Sequence, residues 1–173
     1  MTKLRRLTII AMLVAMNVVL SILTPVKLNN FKFTFEAFPI LVGAMLYGPL
    51  EGLAVGGLGS FIYQMFFSGY GITPTIPLWI LPHAASGLLV GLLAKAKKFK
   101  LSSTQASIIA AISALLVTAL NTLALYVDSK MFGYYSKKLV FASIPFKIIA
   151  GIVLAIIYGI LIPQILKRVE NIK

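Results

Sequence analysis

The stretch Phe38-Pro39-Ile40-Leu41-Val42-Gly43-Ala44-Met45-Leu46-Tyr47-Gly48-Pro49-Leu50-Glu51-Gly52 decides the fold. An apolar run beginning near Glu36 ends at Tyr47, Gly48-Pro49 makes a tight turn, and a second apolar run starts at Leu50 and reaches Phe67. The connection is minimal, and the first run is short for a full membrane crossing. Four more apolar runs flank the pair. Leu7–Leu23 precedes it and is broken by Thr24-Pro25. Pro77–Leu93 follows a Gly- and Pro-containing loop and carries Pro82 inside it. Ser103–Tyr126 comes next, with Ser102 or Ser103 as its cap. Leu139–Leu166 closes the chain and is long enough to tilt or to extend past the bilayer. The composition is 60% hydrophobic, mean hydropathy is +0.98, and no segment reads as a soluble domain. The expectation is an all-α integral membrane protein, a single domain over residues 1–173 with six transmembrane helices in a compact bundle.

The N-terminus has the basic-then-apolar order of a secretory signal, with Lys3, Arg5 and Arg6 ahead of the first run. That run is long for a signal core, and Ser21-Ile22-Leu23-Thr24-Pro25 offers no small-x-small cleavage site, so it reads as an uncleaved first helix. Charge orients the six spans. Lys3, Arg5, Arg6, Lys95, Lys97, Lys98, Lys100, Lys167, Arg168 and Lys173 fall on the side of the termini. The other side holds Lys27, Lys32, Lys130, Lys137 and Lys138. The basic excess on the first side makes it cytoplasmic, termini included, and the setting the cytoplasmic membrane. The segments 24–35, 68–75 and 128–138 then face out. They are longer than the Gly48-Pro49 connection and carry aromatic and polar residues such as Asn29, Asn30, Phe31, Lys32, Phe33, Tyr70, Tyr134 and Tyr135. Any one of these suits an interfacial aromatic belt; their clustering on one side favours a recognition site there.

Composition also excludes chemistry. The net charge of +12 would suggest nucleic acid in a soluble chain, but beside this apolar content it reads as basic loops facing anionic lipid. There is no cysteine, and one His with four acids leaves little for a metal site. No G-x-x-x-x-G-K-[ST] loop is present, so no nucleotide is hydrolysed by that route. No nucleophile, base and orienting group converge, so no enzyme and no cofactor are expected. What remains is a passive device, a secondary transporter, or the recognition part of a larger machine.

Polar residues within the spans narrow the choice. Lys147 lies in Ile144-Pro145-Phe146-Lys147-Ile148-Ile149. A Lys in such a run faces a cavity or partner, or else snorkels to the outer interface. Facing an outward pocket, it suits an anionic ligand, with Ser143 one turn earlier on the same helical face. Trp79 and His83, also one turn apart, either clamp a flat ring or serve as a belt Trp and a hydrogen-bonded core His. Asn121 is a ligand contact or a helix-to-helix hydrogen bond. Ala11 and Ala15, Gly52 and Gly56, and Gly87 and Gly91 are small residues four apart, which let helices approach closely. The two halves show no convincing repeat and no acidic relay, which counts against a self-sufficient secondary transporter.

With its basic N-terminus, Ala11-x-x-x-Ala15, long first outer loop and Tyr47-Gly48-Pro49 turn, the chain resembles the S component of an energy-coupling factor (ECF) vitamin transporter over nearly its whole length. Residues 38–52 are similar to the second-to-third span region of that family, and Leu120-Asn121-Thr122-Leu123 looks like its folate-type subgroup. After Asn121-Thr122-Leu123 the sequence departs from the fuller folate pattern, reading Ala124-Leu125-Tyr126-Val127-Asp128. The resemblance implies one vitamin bound tightly in an outward pocket. It also implies association with a transmembrane coupling subunit and two cytoplasmic ATPases, and toppling in the bilayer to release cargo. Ala11 and Ala15 would mark the contact with the coupling subunit. The pocket would fall near Phe31, Lys32 and Phe35, at Trp79 and His83, at Asn121 and Tyr126, and at Ser143 and Lys147. The expected cargo is folate or a related anionic micronutrient, with Lys32 or Lys147 pairing its carboxylates. Pantothenate is the competing cargo, and a stand-alone ion-coupled transporter is the rival of a different class.

Overall fold

The computed structural model describes residues 3–23, 26–28, 31–33, 35–69 and 71–170. The elements are α1 (Lys3–Leu23), β1 (Val26–Leu28), β2 (Phe31–Phe33), α2 (Ala37–Tyr47), α3 (Pro49–Phe66), α4 (Ile76–Ala96), α5 (Ser103–Met131), α6 (Lys137–Phe141) and α7 (Ile144–Glu170). Among the described residues, α1, α4, α5 and the α6–α7 unit are long and apolar enough to cross a membrane. The other two segments expected to span are shorter: α2 has 11 residues and α3 has 18.

α2 shows why a short helix belongs here. Residues 39–45 are buried without a break, and Met45 and Ala44 are 0% exposed. A helix that is apolar all round belongs in a core. At 1.5 Å per residue α2 is about 16 Å long, roughly half the hydrocarbon thickness. It sits among its neighbours, and its Leu41, Ala44 and Met45 share a core with Val90, Ala106, Ala155 and Ile162 from α4, α5 and α7. The outer faces are apolar as well. Ile149, Ile152, Val153 and Ile156 on α7 are all half-exposed or more, as a lipid-facing surface requires.

The helices meet in two kinds of seam. On α3 and α4 the glycines face each other: a Cβ on Gly87 would overlap the Gly52 carbonyl, and one on Gly56 would fall 2.7 Å from the His83 carbonyl carbon. Gly91 likewise lies against Gly48 and Pro49. On α5 and α7 the approach is looser at Gly151, level with Ala114, and close again at Gly159, level with Ser107, so the two helices run antiparallel.

One end of the bundle holds the start of α1, the α2–α3 turn and the α4–α5 turn. Arg6 donates to the Tyr47 carbonyl at 3.0 Å and pairs with Glu51. Gly48 has φ +120°, a conformation that leaves side-chained residues strained. Phe99 packs on the core beside it, and Ser102 caps α5 through a reciprocal bond pair with Gln105.

The opposite end departs from the expected pattern in three places. The first long connection is an antiparallel hairpin with Lys27 opposite Lys32, a small sheet in an otherwise helical protein. The fifth helix continues past Tyr126 to Met131, so Asp128 is helical and buried rather than part of a loop. Thr75 and Tyr134 both donate to the Asp128 carboxylate, which satisfies a charge that would otherwise end the helix. The sixth apolar run is broken at Ala142-Ser143 into α6 and α7. Pro145 then occupies the first turn of α7, where its missing N–H is harmless.

Candidate binding cavity

Between α2, α4, α5 and α7 lies a cavity of about 150 Å³. Two helical stripes form its long walls. α5 presents Ala110, Ser113, Ala114, Val117, Thr118 and Asn121, and α7 presents Lys147, Ala150, Gly151, Leu154, Ala155 and Tyr158. The spacing of three and four residues puts each set on one face. Each stripe spans 11 residue steps, about 16 Å. α2 closes one side with Glu36, Ala37, Ile40 and Leu41, and α4 another with His83 and Ser86. The walls are mostly apolar with a few convergent polar groups, which is the usual make-up of a small-molecule site.

Its polar groups differ in how they are held. Ser86 and Ser113 hydrogen-bond each other at 2.6 Å across α4 and α5. Glu36 is held from three directions. Ser21 Oγ donates to its Oε2 at 2.6 Å, Asn17 Nδ2 donates to its backbone oxygen at 2.7 Å, and His83 Nε2 lies 3.6 Å from Oε1. Asn17 is itself buried where Gly59 lets α1 and α3 close together. Thus α1 positions Glu36, which lines a cavity that no α1 residue lines among the described residues. Lys147 stands in the first turn of α7, half-buried, with its backbone N–H bonded to the Ser143 carbonyl at 3.0 Å. Among the described residues neither its ammonium nor the Asn121 amide has a hydrogen bond or ion pair. Tyr158 is 3% exposed and its hydroxyl has no partner.

Of the residues singled out from sequence, His83, Asn121 and Lys147 meet at this cavity although they come from three helices. Trp79 is half-buried one turn before His83 and does not line it. Ser143 is buried and does not line it, and Phe35, next to Glu36 in the chain, is exposed. Tyr126 lies outside, its ring edge-on to Tyr135 with centroids 5.5 Å apart, and Lys130 caps that ring at 4.1 Å. Phe31 and Lys32 follow the hairpin backbone, and their side chains, like Asn29, Asn30 and Tyr70 as a whole, lie outside the described residues. Ala11 and Ala15 are both exposed on α1, with Val14, Asn17, Val18 and Ser21 forming its buried face. Sequence reasoning missed Glu36 and Tyr158 as site residues. Tyr158 stands 11 residues after Lys147, three helical turns along one face, and that spacing was a usable signal. No such pattern marks Glu36, because its place depends on Ser21 and Asn17. Among the described residues no three His, Asp or Glu side chains gather as a metal site would need.

The sequence profile described as "ECF transporter, substrate-specific component" matches residues 5–162. No curated protein matches the chain. Among solved structures, an S component of a bacterial ECF transporter is 24% identical, with a TM-score of 0.67 over 99% of this chain and 98% of that one. The S component for biotin from an ECF-type ABC transporter is 17% identical, with a TM-score of 0.73 over 96% of this chain and 95% of that one. At these identities the two structures establish the shared fold.

Proposed function

Because the chain belongs to the family of ECF transporter substrate-specific components, we propose that it is the high-affinity vitamin-binding subunit of an ATP-driven importer, with folate or a related anionic micronutrient as cargo. It is a membrane-embedded transporter subunit and not an enzyme. The observation that carries the cargo reading is Lys147, without a side-chain partner among the described residues, lining a mostly apolar cavity together with Asn121 and Thr118. A cation kept out of water without a partner is costly, and an anionic ligand offsets that cost. Small side chains on both long walls, among them Ala110, Ala114, Ala150 and Gly151, leave a slot that admits a flat ring.

The same reading orients the protein. The end with Arg6, the Gly48-Pro49 turn and Lys95–Lys100 faces the cytoplasm of a bacterial cell, and the hairpin end faces out. The exposed Ala11 and Ala15 form the surface on which the transmembrane coupling subunit docks, with its two ATPases beneath. Equilibrium binding to the purified chain tests the cargo. Folate binds and neither pantothenate nor biotin displaces it if the reading holds; saturable binding of either competitor with no folate binding reassigns the cargo. Uptake by the chain reconstituted alone, driven by an ion gradient, would replace the importer reading with the stand-alone transporter.

A further inference from the structure

Glu36 and His83 are ionisable residues that meet in the cavity wall, with Oε1 and Nε2 3.6 Å apart and the side chains 22% and 12% exposed. Among the described residues the other ionisable groups lining the cavity are Lys147 and Tyr158, and a phenol is neutral near pH 7. The elements packed on α4 bring no further charge to His83 among the described residues. Level with it on α3 is Gly56, while Glu51 pairs with Arg6 near the start of that helix and Tyr63 stands about two turns beyond Gly56. α2 carries only Tyr47, at its far end. The α5 face of the cavity is uncharged; beyond it, Tyr126 and Lys130 meet Tyr135, and Asp128 is held by Thr75 and Tyr134. Protons on one pair therefore set the charge of the wall. With none, ionised Glu36 cancels Lys147; with one, a single positive charge is left for an anion. Hydrogen bonding gives that proton a place. Ser21 Oγ lies 2.8 Å from the Asn17 carbonyl oxygen and 2.6 Å from Glu36 Oε2, yet a hydroxyl has one proton to donate. A proton on Oε2 removes the mismatch: Glu36 donates to Ser21 Oγ, and Ser21 donates to the Asn17 carbonyl. A proton on His83 instead makes its contact with Oε1 an ion pair. Both placements have the same net charge, so the proton belongs to the pair.

We propose that the Glu36–His83 pair is a proton-binding site coupled to cargo: it takes one proton from water when an anion enters the cavity and returns it when the anion leaves. The pair need not touch the occupant, because charges in a wall of low dielectric act on one another over several ångströms. The anion favours the protonated pair, and by linkage the protonated pair favours the anion. The filled protein holds more protons than the empty one, so affinity rises as pH falls. It levels off once the empty protein holds the proton as well. The inference rests on the cavity taking an anionic cargo; it adds what accompanies that anion and assigns no vitamin.

The test uses the purified full-length chain in detergent, with folic acid as the first probe and pantothenate and biotin run in parallel. Equilibrium binding is measured between about pH 5.5 and 7.5, a range in which ordinary carboxylates and lysines keep their charge. Calorimetry in two buffers of different ionisation heat counts the protons exchanged. Expected is an affinity that rises at least about tenfold toward the acid end, with uptake of about one proton at most per anion bound. Since His83 is the chain's only histidine, selective labelling gives a single imidazole signal that needs no assignment. A signal that moves toward the protonated form on adding the probe puts the proton on His83. Uptake with an unmoved signal puts it on Glu36, and both results support the pair. Replacing both residues, Glu36→Gln with His83→Gln, should flatten the pH profile and abolish proton uptake. A double variant that keeps the wild-type pH dependence overturns the proposal whatever its affinity, since the proton then goes elsewhere. Wild-type binding that is independent of pH and without proton uptake also overturns it, needs no variant to fold, and leaves the vitamin-binding reading in place. Absence of binding by all three probes overturns that reading and this inference with it.

Discussion

The α3–α4 seam and the α5–α7 seam are built from small residues at the same four-residue spacing, yet one is closed and the other holds a cavity. In the first, Gly52, Gly56, Gly87 and Gly91 bring backbone onto backbone, and an added Cβ has nowhere to go. In the second, Ala114 and Gly151 still separate the helices by a side chain, and the flanking positions carry Thr118, Asn121 and Lys147. Without a hydrophobic force between helices in lipid, close packing of small residues holds the bundle together. The difference teaches that four-residue spacing of small residues closes a seam only where glycine meets glycine; with alanine opposite glycine, room is left beside the contact. The small residues of α1 are a third case: Ala11 and Ala15 have the same spacing but are exposed on the monomer.

The comparison breaks most sharply at Gly87. Gly87→Ala places a methyl group against the Gly52 carbonyl, and overpacking of this kind against backbone should cost about 3 kcal/mol or more. The expected result is loss of the monodisperse peak in size-exclusion chromatography. Gly57→Ala is the control on the same helix: its Cβ would meet Ala84 at an ordinary 3.6 Å, so the variant should fold and melt at the wild-type temperature or above it. If both variants behave alike, the closed seam is not what organises the bundle.

The α1 stripe is tested by Ala15→Trp. ATP-dependent uptake by the assembled transporter should be abolished, while binding of vitamin by the isolated chain survives, because the side chain projects from an exposed position that does not line the cavity. Loss of both activities would mean that α1 packs internally there; normal uptake would mean that no partner docks on it.

A smaller effect sharpens the open seam. Lys147→Met should weaken an anionic vitamin at least about tenfold, since a charge-assisted hydrogen bond is worth roughly 1.5–3 kcal/mol. A folded variant of unchanged affinity would assign Lys147 to the interface instead. The smallest effect concerns Trp79, the chain's single tryptophan. It does not line the cavity but precedes His83 by one turn, so saturating ligand should shift its emission modestly through His83. A spectrum that does not move at all would make Trp79 a membrane-belt residue.

Much of this was legible beforehand and some was not, for identifiable reasons. The Gly48-Pro49 turn, the Pro82-containing fourth helix and the Ser102 cap all appear where local chemistry puts them. The end of α5 did not, because Asp128 and Lys130 look like loop residues until Thr75 and Tyr134 supply the carboxylate with donors from other segments. The break before α7 was signalled by Pro145 but masked by the unbroken hydropathy around it. His83, Asn121 and Lys147 stood out as polar residues in apolar runs, and the cavity gathers all three. Trp79 and Ser143, one helical turn from His83 and Lys147, and Tyr126, marked by the family resemblance, do not line it, since depth along a helix does not give rotation about it.

The sequence by itself determined the membrane class, the number of apolar segments, the tight central turn and the uneven distribution of lysine and arginine. Each follows from a residue's own cost of leaving water, which adds up along the chain without reference to its neighbours. Only the tertiary structure decided that Glu36, His83, Asn121, Lys147 and Tyr158 share one space. In lipid an apolar face is equally at home against hydrocarbon and against another helix, so hydropathy cannot say which side of a helix turns inward. Packing decides that, through contacts such as Gly87 on Gly52 and Asn17 on Glu36 that join residues far apart in the chain.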